Sequence, residues 1–352
     1  MSDAVLELVN VQTYFPVHQG FFARKEVATV KAVNGVTLTV RRGEVLGLVG
    51  ESGCGKSTLA RTIMQLVPLT GGAVVLNGQN LAACSRRELL ASRHEMQMVF
   101  QDPFGSLDPR WRVADIVGEP LFCYGVGDRA SRRRRVGEVL ELVGLDPAVF
   151  GARRPRQLSG GQRQRVAIAR ALALAPALIV CDEAVSSLDV LIRAQVLNLL
   201  ERLRCELGLS YLFIAHDLAL VKQVSDSVAV MHLGKLVEVG PAEEIYRRPR
   251  HPYTVALLAS IPSPDPTAVR APVGDRIRGE PPSPIDPPSG CRFRTRCPRV
   301  QELCAEQEPP LRELSPGHRT ACHFPVSDDD ETEAEPALAA PGSRTDEQGR
   351  NR

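Results

Sequence analysis

Between a short apolar run and a helical pattern, the stretch Gly50-Glu51-Ser52-Gly53-Cys54-Gly55-Lys56-Ser57 follows the spacing G-x-x-x-x-G-K-[ST], with Thr58 directly after it. The glycines let the backbone wrap closely round a phosphate chain, and the loop amides and the following helix N-terminus face the anion. Lys56 would neutralise the β- and γ-phosphates, Ser57 would offer a hydroxyl to Mg2+, and Thr58 would offer one towards the α-phosphate. A second constellation closes the apolar run Leu178-Ile179-Val180-Cys181 with two carboxylates. Asp182 suits the outer shell of the magnesium, and Glu183 can act as general base on the water that attacks the γ-phosphate. His216, at the end of the run Tyr211 to Ala215, can hold that water or the γ-phosphate by a hydrogen bond.

Such groups need a parallel sheet to bring them to one edge. Residues 4 to 15, 36 to 40 and 44 to 49 read as strands, and Val45 to Val49 runs through the glycine loop into a helix over 57 to 66. From about 104 to 157 the pattern turns helical, with Val136, Val139, Leu140 and Val143 at three- and four-residue spacing, and implies an inserted helical subdomain. The runs Ala177 to Cys181 and Tyr211 to Ala215 read as strands buried on both faces, flanked by helices over 190 to 207 and 218 to 224. After Gly240 proline becomes frequent, four cysteines appear between 291 and 322, and a separate C-terminal module is expected. Residues 327 to 352 hold eight acidic residues and three arginines with little apolar content, the composition of a disordered tail.

The whole chain has 352 residues, 43% of them apolar, with 43 basic and 41 acidic side chains and a net charge of +2. That near-neutral balance disfavours a polyanion-binding surface. No apolar stretch approaches the ~20 residues needed to cross a bilayer. The first ten residues carry Asp3 and Glu7 and lack a basic region, so no secretory signal is expected, and a reducing cytosol makes a disulfide framework from the nine cysteines improbable. Arg132 to Arg135 opens an amphipathic helix without interleaved aromatics and reads as a solvated face rather than a nucleic-acid patch.

Two further segments narrow the reading: Leu158-Ser159-Gly160-Gly161-Gln162-Arg163-Gln164-Arg165 and Val99-Phe100-Gln101-Asp102-Pro103. With them, the order phosphate loop, Gln101, LSGGQ, Asp182-Glu183, Ser187-Leu188-Asp189, His216 resembles ATP-binding cassette (ABC) ATPases across residues 1 to about 240. The stretches 100 to 110, 182 to 190 and His251-Pro252-Tyr253-Thr254, continuing to Cys322-His323-Phe324-Pro325, resemble the ATPase subunits of oligopeptide and dipeptide importers. Ser187 stands where alanine is common there, and Leu191-Ile192-Arg193 replaces a more polar stretch.

The resemblance implies an α/β phosphate-loop cassette: a mixed, largely parallel core with an N-terminal antiparallel part and an inserted helical subdomain (about 104–175), plus a small cysteine-containing module. It divides the chain into an ATP-binding domain (1–250), a transporter C-terminal module (251–326) and the acidic tail. It implies ATP and Mg2+ as cofactors, with Ser57, Gln101 and Asp182 on the metal and Gln101 also sensing the membrane partner. Phe15, preferred to Tyr14, would stack on adenine. Ser159, Gly160, Gly161 and Gln162 would grip the ATP of a second cassette docked head to tail, with Asp189 in the dimer interface. Two transmembrane permeases would dock near residues 101 to 110 at the inner face of the cell membrane, served by an extracytoplasmic solute-binding protein.

Cys291, Cys297, Cys304 and Cys322 lack the paired C-x-x-C of zinc ribbons. Four thiolates can hold a [4Fe-4S] cluster, Cys297-Pro298 matches the Cys-Pro of ferredoxin-type runs, and subunits resembling this chain carry the same four cysteines. Zinc and plain reduced thiols remain alternatives. Cys54, Cys84, Cys123, Cys181 and Cys205 read as structural. The competing functions are a soluble cassette ATPase acting on DNA or ribosomes, and a regulatory subunit with a dead site. The intact catalytic positions stand against the latter.

Overall fold

The computed structural model describes residues 3–19, 25–101, 103–186, 188–261, 279–280 and 282–327. The acidic tail from 328 onwards, Asp102, Ser187 and much of the proline-rich stretch lie outside them. The chain opens on two long strands, β1 (Ala4–Gln19) and β2 (Lys25–Arg41), followed by the short apolar β3 (Val45–Val49) and α1 (Lys56–Ile63). β4 (Gly71–Leu76) and β5 (Gln79–Asn80) complete an antiparallel sheet in the order β2-β1-β4-β5. The sequence reading of β1 and β2 was too short, because register shifts, or bulges, let both strands run on past their clean alternation.

After α2 (Arg86–Glu95) and β6 (Met96–Val99), the chain leaves the sheet for a helical excursion. It comprises α3 (Pro103–Ser106), α4 (Val113–Cys123), α5 (Arg129–Leu142), α6 (Pro147–Phe150) and α7 (Gly160–Leu172). The helix pattern read from Val136, Val139, Leu140 and Val143 is met by α5 and its C-cap, and all four residues are buried. The arginine run that opens α5 is only half a solvated face. Arg133 and Arg134 are exposed, whereas the Arg135 guanidinium donates to Leu172 O (3.0 Å) and Ala173 O (3.2 Å) at the end of α7. Cations suit those orphan carbonyls.

The chain then returns through β7 (Leu178–Asp182), α8 (Val190–Leu207), β8 (Ser210–Ile214), α9 (Leu218–Val224), β9 (Ser227–His232) and β10 (Lys235–Pro241). The last described elements are α10 (Ala242–Arg247), α11 (Pro252–Ala259), α12 (Leu303–Glu306), β11 (Arg312–Ser315) and β12 (His318–Thr320). The main sheet runs β11-β12-β10-β9-β3-β8-β7-β6, parallel from β9 to β6 and antiparallel beyond β9. Alternation along β3 separates two cores. Leu46 and Leu48 join Val180, Leu212 and the N-terminal strands on one face, while Val45 and Val49 join Cys181, Phe213 and the helices on the other.

The C-terminal residues do not stand apart. β12 pairs with β10, and the buried Glu238 of β10 ties three segments together. Its carboxylate accepts from Arg250 N (2.6 Å) and His251 N (3.0 Å) at the start of α11, and lies 2.7 Å from His318 Nε2 on β12. Composition marks a boundary near 250 that the sheet and this network cross. Among the described residues, no helix is long and apolar enough to span a membrane.

Candidate active site

The sheet delivers the chemistry to one edge. β3, β6, β7 and β8 are mutually parallel, so the loop after Val49, Gln101, the Asp182-Glu183 pair and His216 all follow carboxyl ends of neighbouring strands. Two glycines make the loop possible. A Cβ on Gly50 (φ +153°) would lie 2.1 Å from Met231 O, and one on Gly55 (φ +110°) would lie 2.2 Å from Ala32 O. Gly55 is the N-cap of α1 and brings no side chain to its orphan amides, which leaves them for an anion. Lys56 is 5% exposed, its ammonium donating to Gly50 O (2.7 Å) and Glu51 O (2.9 Å), across the mouth of its own loop. Ser52 and Gly53 are exposed at that mouth, Cys54 is buried beneath it, and Thr58, the third residue of α1, is half-buried.

Ser57 Oγ donates to Asp182 Oδ1 (3.1 Å), which gathers hard oxygen donors beside the loop. Burial pushes the Asp182 carboxyl above its ordinary pKa, the Ser57 bond opposing this and the neighbouring Glu183 adding to it. A cation is what such a site needs to keep the carboxylate charged. Glu183 sits in the left-handed region (φ +48°), its amide bonded to Ile214 O (2.9 Å). That turn aims its carboxylate at two neighbours. Gln101 Nε2 donates to Oε2 (2.7 Å), and His216 Nδ1 lies 3.4 Å from Oε1. Glu183, Arg193, His216 and Asp217 line one pocket.

The other expected residues fall at a distance. Ser159 caps α7, accepting from Gln162 N (3.3 Å) while Gln162 Oε1 accepts from Ser159 N (3.0 Å). Gly160 and Gly161 complete that first turn, and a Cβ on Gly161 would come within 2.5 Å of Ile192 Cγ2 on α8. Asp189 caps α8 through Ile192 N (2.9 Å), beside Val190 and Leu191, each 77% exposed. Phe15 is 39% exposed on β1, whereas the Tyr14 hydroxyl is taken by Asn34 Oδ1 (2.6 Å).

Cys291, Cys297, Cys304 and Cys322 line a single pocket together with His251, Phe293 and His323. Burial raises the Cys291 thiol to about 11 and Cys322 to about 12, and Cys297 is also raised. Yet among the described residues no three His, Cys, Asp or Glu side chains are placed to hold one metal ion.

Two residues that touch the loop carried no role in the sequence. The Tyr253 hydroxyl accepts from Glu51 N (2.9 Å), and the Arg296 guanidinium donates to both carboxylate oxygens of Glu51. Tyr253 lies within the importer-like segment 251 to 254, the one signal that pointed to it.

Comparisons with known proteins agree with this geometry. Residues 33–186 match the ABC transporter family, and residues 237–304 match the oligopeptide/dipeptide transporter C-terminal region. The chain is 52% identical over 297 residues to a putative oligopeptide transport ATP-binding protein of Bacillus subtilis, YkfD, covering 84% of this chain and 90% of that one. It is 49% identical over 327 residues to AppF, an oligopeptide transport ATP-binding protein of the same organism, covering 92% and 98%. The chain belongs to the oligopeptide-transport ATP-binding proteins of the ABC family. Among solved structures it resembles the dimeric ATP-binding cassette MJ0796 bound to ADP and Pi (TM-score 0.59, 29% identity, 67% of this chain and 98% of that one). It also resembles cbiO1 of Clostridium perfringens, part of the transporter complex cbiONQ (TM-score 0.59, 25% identity, 70% and 92%). Relatives named for oligopeptide transport favour that expectation over an ABC ATPase acting on nucleic acid.

Proposed function

We propose that this ABC ATPase powers the uptake of di- or oligopeptides, or related small solutes, through a membrane channel made by other chains. The observation that carries the catalytic part is Glu183, held in a left-handed turn with Gln101 and His216 on its carboxylate, beside the Ser57–Asp182 pair. In this reading the loop amides of 50 to 58 and Lys56 bind the phosphates, and Phe15 stacks on adenine. The all-oxygen donor set of Ser57, Asp182 and Gln101 fits Mg2+, whose charge would offset that of the phosphates. Glu183 takes the proton from the attacking water, with His216 and Gln101 fixing its carboxylate. Ser159 to Gln162 and Asp189 meet the ATP of a second cassette, and the exposed Val190 and Leu191 add apolar area there. The exposed rings of Phe100 and Trp111 flank the 101 to 110 segment, where two permeases would dock at the inner membrane face, loaded by an extracytoplasmic binding protein.

Glu183→Gln is expected to bind ATP while turnover falls by about 100-fold or more, and Lys56→Ala to lose ATP binding. Steady-state ATPase and nucleotide titration of the purified chain read both. Wild-type turnover by Glu183→Gln would remove the base assignment.

The four C-terminal thiols line one pocket, the donor set that a [4Fe-4S] cluster takes, and they lack the paired C-x-x-C spacing of zinc ribbons. Bound there, a cluster would supply a structural lock in place of four thiol protons. Anaerobically purified protein is expected to be brown, and colourless, iron-free protein from iron-replete cells would refute the cluster.

A further inference from the structure

We infer that Arg296, between two cysteines of the C-terminal segment, is a positioning residue for the phosphate loop: it neutralises and holds Glu51, so that nucleotide affinity depends on a segment 245 residues away. The inference rests on that loop binding a nucleotide. Glu51 places a carboxylate inside a loop built for polyanions, where an uncompensated charge would repel the ligand. Arg296 answers it with a two-pronged pair, Nη1 to Oε2 at 2.7 Å and Nη2 to Oε1 at 2.8 Å. The arginine side chain is only 5% exposed, so water does little to screen the pair. Those bonds hold the Glu51 carboxyl below its ordinary range.

Glu51 is tethered at every polar group. Its amide donates to Tyr253 OH, its carbonyl accepts from Lys56, and its carboxylate accepts from Arg296. Two of those three partners are placed by the C-terminal segment. Arg296 N bonds Phe293 O (2.9 Å), Arg294 N bonds Cys291 O (3.1 Å), and Cys291 N bonds Cys304 O (2.8 Å). The Phe293 ring then packs on Tyr253 at 5.2 Å between centroids. One knot of backbone thus delivers a guanidinium to the carboxylate of Glu51 and a ring to the tyrosine that holds its amide.

The test uses the full chain, a fluorescent N-methylanthraniloyl ATP titration and steady-state ATPase. Arg296→Ala is expected to raise Kd and KM about tenfold, within the usual range for coupled sites, while kcat at saturation stays within about twofold. Arg296→Lys, which keeps the charge but not the fork, should recover part of the loss. Adding Glu51→Gln to Arg296→Ala should bring affinity back to within about threefold of wild type, because the repelling charge is gone. Wild-type affinity in Arg296→Ala, or a double variant as weak as the single one, would overturn the inference. Should Arg296→Ala lose its cooperative melting transition, Arg296→Lys with and without Glu51→Gln decides by the same comparison. Lys56→Ala separates the two claims. If wild type and Lys56→Ala bind the analogue equally poorly, the nucleotide reading falls and takes this inference with it; if only Lys56→Ala loses binding while Arg296→Ala keeps it, this inference alone falls.

Discussion

Glu183 pays a conformational cost for its place. A non-glycine residue in the left-handed region is held there at about 1–3 kcal/mol, and such strain persists where the surroundings over-determine it. Here the surroundings are the Ile214 carbonyl behind and the Gln101 and His216 side chains in front. Glu183→Gly and Glu183→Ala both lose the carboxylate, so their difference isolates the backbone. Glycine is expected to be the more stable of the two by about 1 kcal/mol in urea unfolding, with turnover lost in both. Equal midpoints would mean that no strain is stored at this turn. The residues of this edge were legible in the sequence because each chemical pair is local: a glycine loop, a carboxylate pair ending an apolar strand, a histidine ending another. What joins them was not. Arg296 and Glu51 have no shared pattern, since a contact across 245 residues leaves no periodicity for a reader to find. Nor did composition show that Asn34 engages the Tyr14 hydroxyl.

Between elements, a close constraint lies where α7 meets α8. Gly161 opens α7 directly against Ile192, and an added Cβ would stand 2.5 Å from Ile192 Cγ2, a branch fixed at its own Cβ that cannot swing far aside. Gly161→Ala should therefore force the first turns of the two helices apart and destabilise the fold by about 1–3 kcal/mol. The added Ile192→Ala truncation makes room and should recover a good part of that loss. Urea midpoints of the single and double variants read the coupling. Full additivity, with no recovery, would place the strain elsewhere. These two helix starts carry Ser159 and Gly160 on α7 and Asp189 on α8, so ATPase activity should follow the helix spacing and recover together with stability. α8 and α9 begin and end where the sequence reading places them, at 190 to 207 and 218 to 224. The approach of α7 to α8 did not follow from the sequence, because it is set by a side chain thirty-one residues further on.

Across the molecule, the cassette and its C-terminal residues meet on one buried aromatic cluster, and its protonation ties them to pH. Burial lowers the His232 pKa to about 4, against an ordinary value of 6.5. Between those values the unfolded chain binds the proton and the folded one does not, so stability falls as pH drops from about 6.5 towards 4, by up to about 3 kcal/mol. His251, lowered to about 3 by burial, adds a slope of the same sign, so His232→Asn should reduce the slope measured from pH 7.5 to 4.5 without removing it. The cluster also decides whether the molecule unfolds as one body. Phe293 is fully buried, with centroids 5.5 Å from His232 on β9 and 5.2 Å and 5.9 Å from Tyr253 and His251 at the start of α11. Phe293→Ala should cost about 3–5 kcal/mol. The chain holds one tryptophan, Trp111, in the helical excursion and far along the sequence from the C-terminal cysteines. If β12 on β10, Glu238 and Phe293 join both parts into one cooperative unit, Trp111 fluorescence and far-ultraviolet circular dichroism should shift together to lower urea in the variant. A Trp111 transition unmoved by Phe293→Ala would mean that the C-terminal residues melt on their own, and Arg296 would then be lost from Glu51 before the cassette itself unfolds.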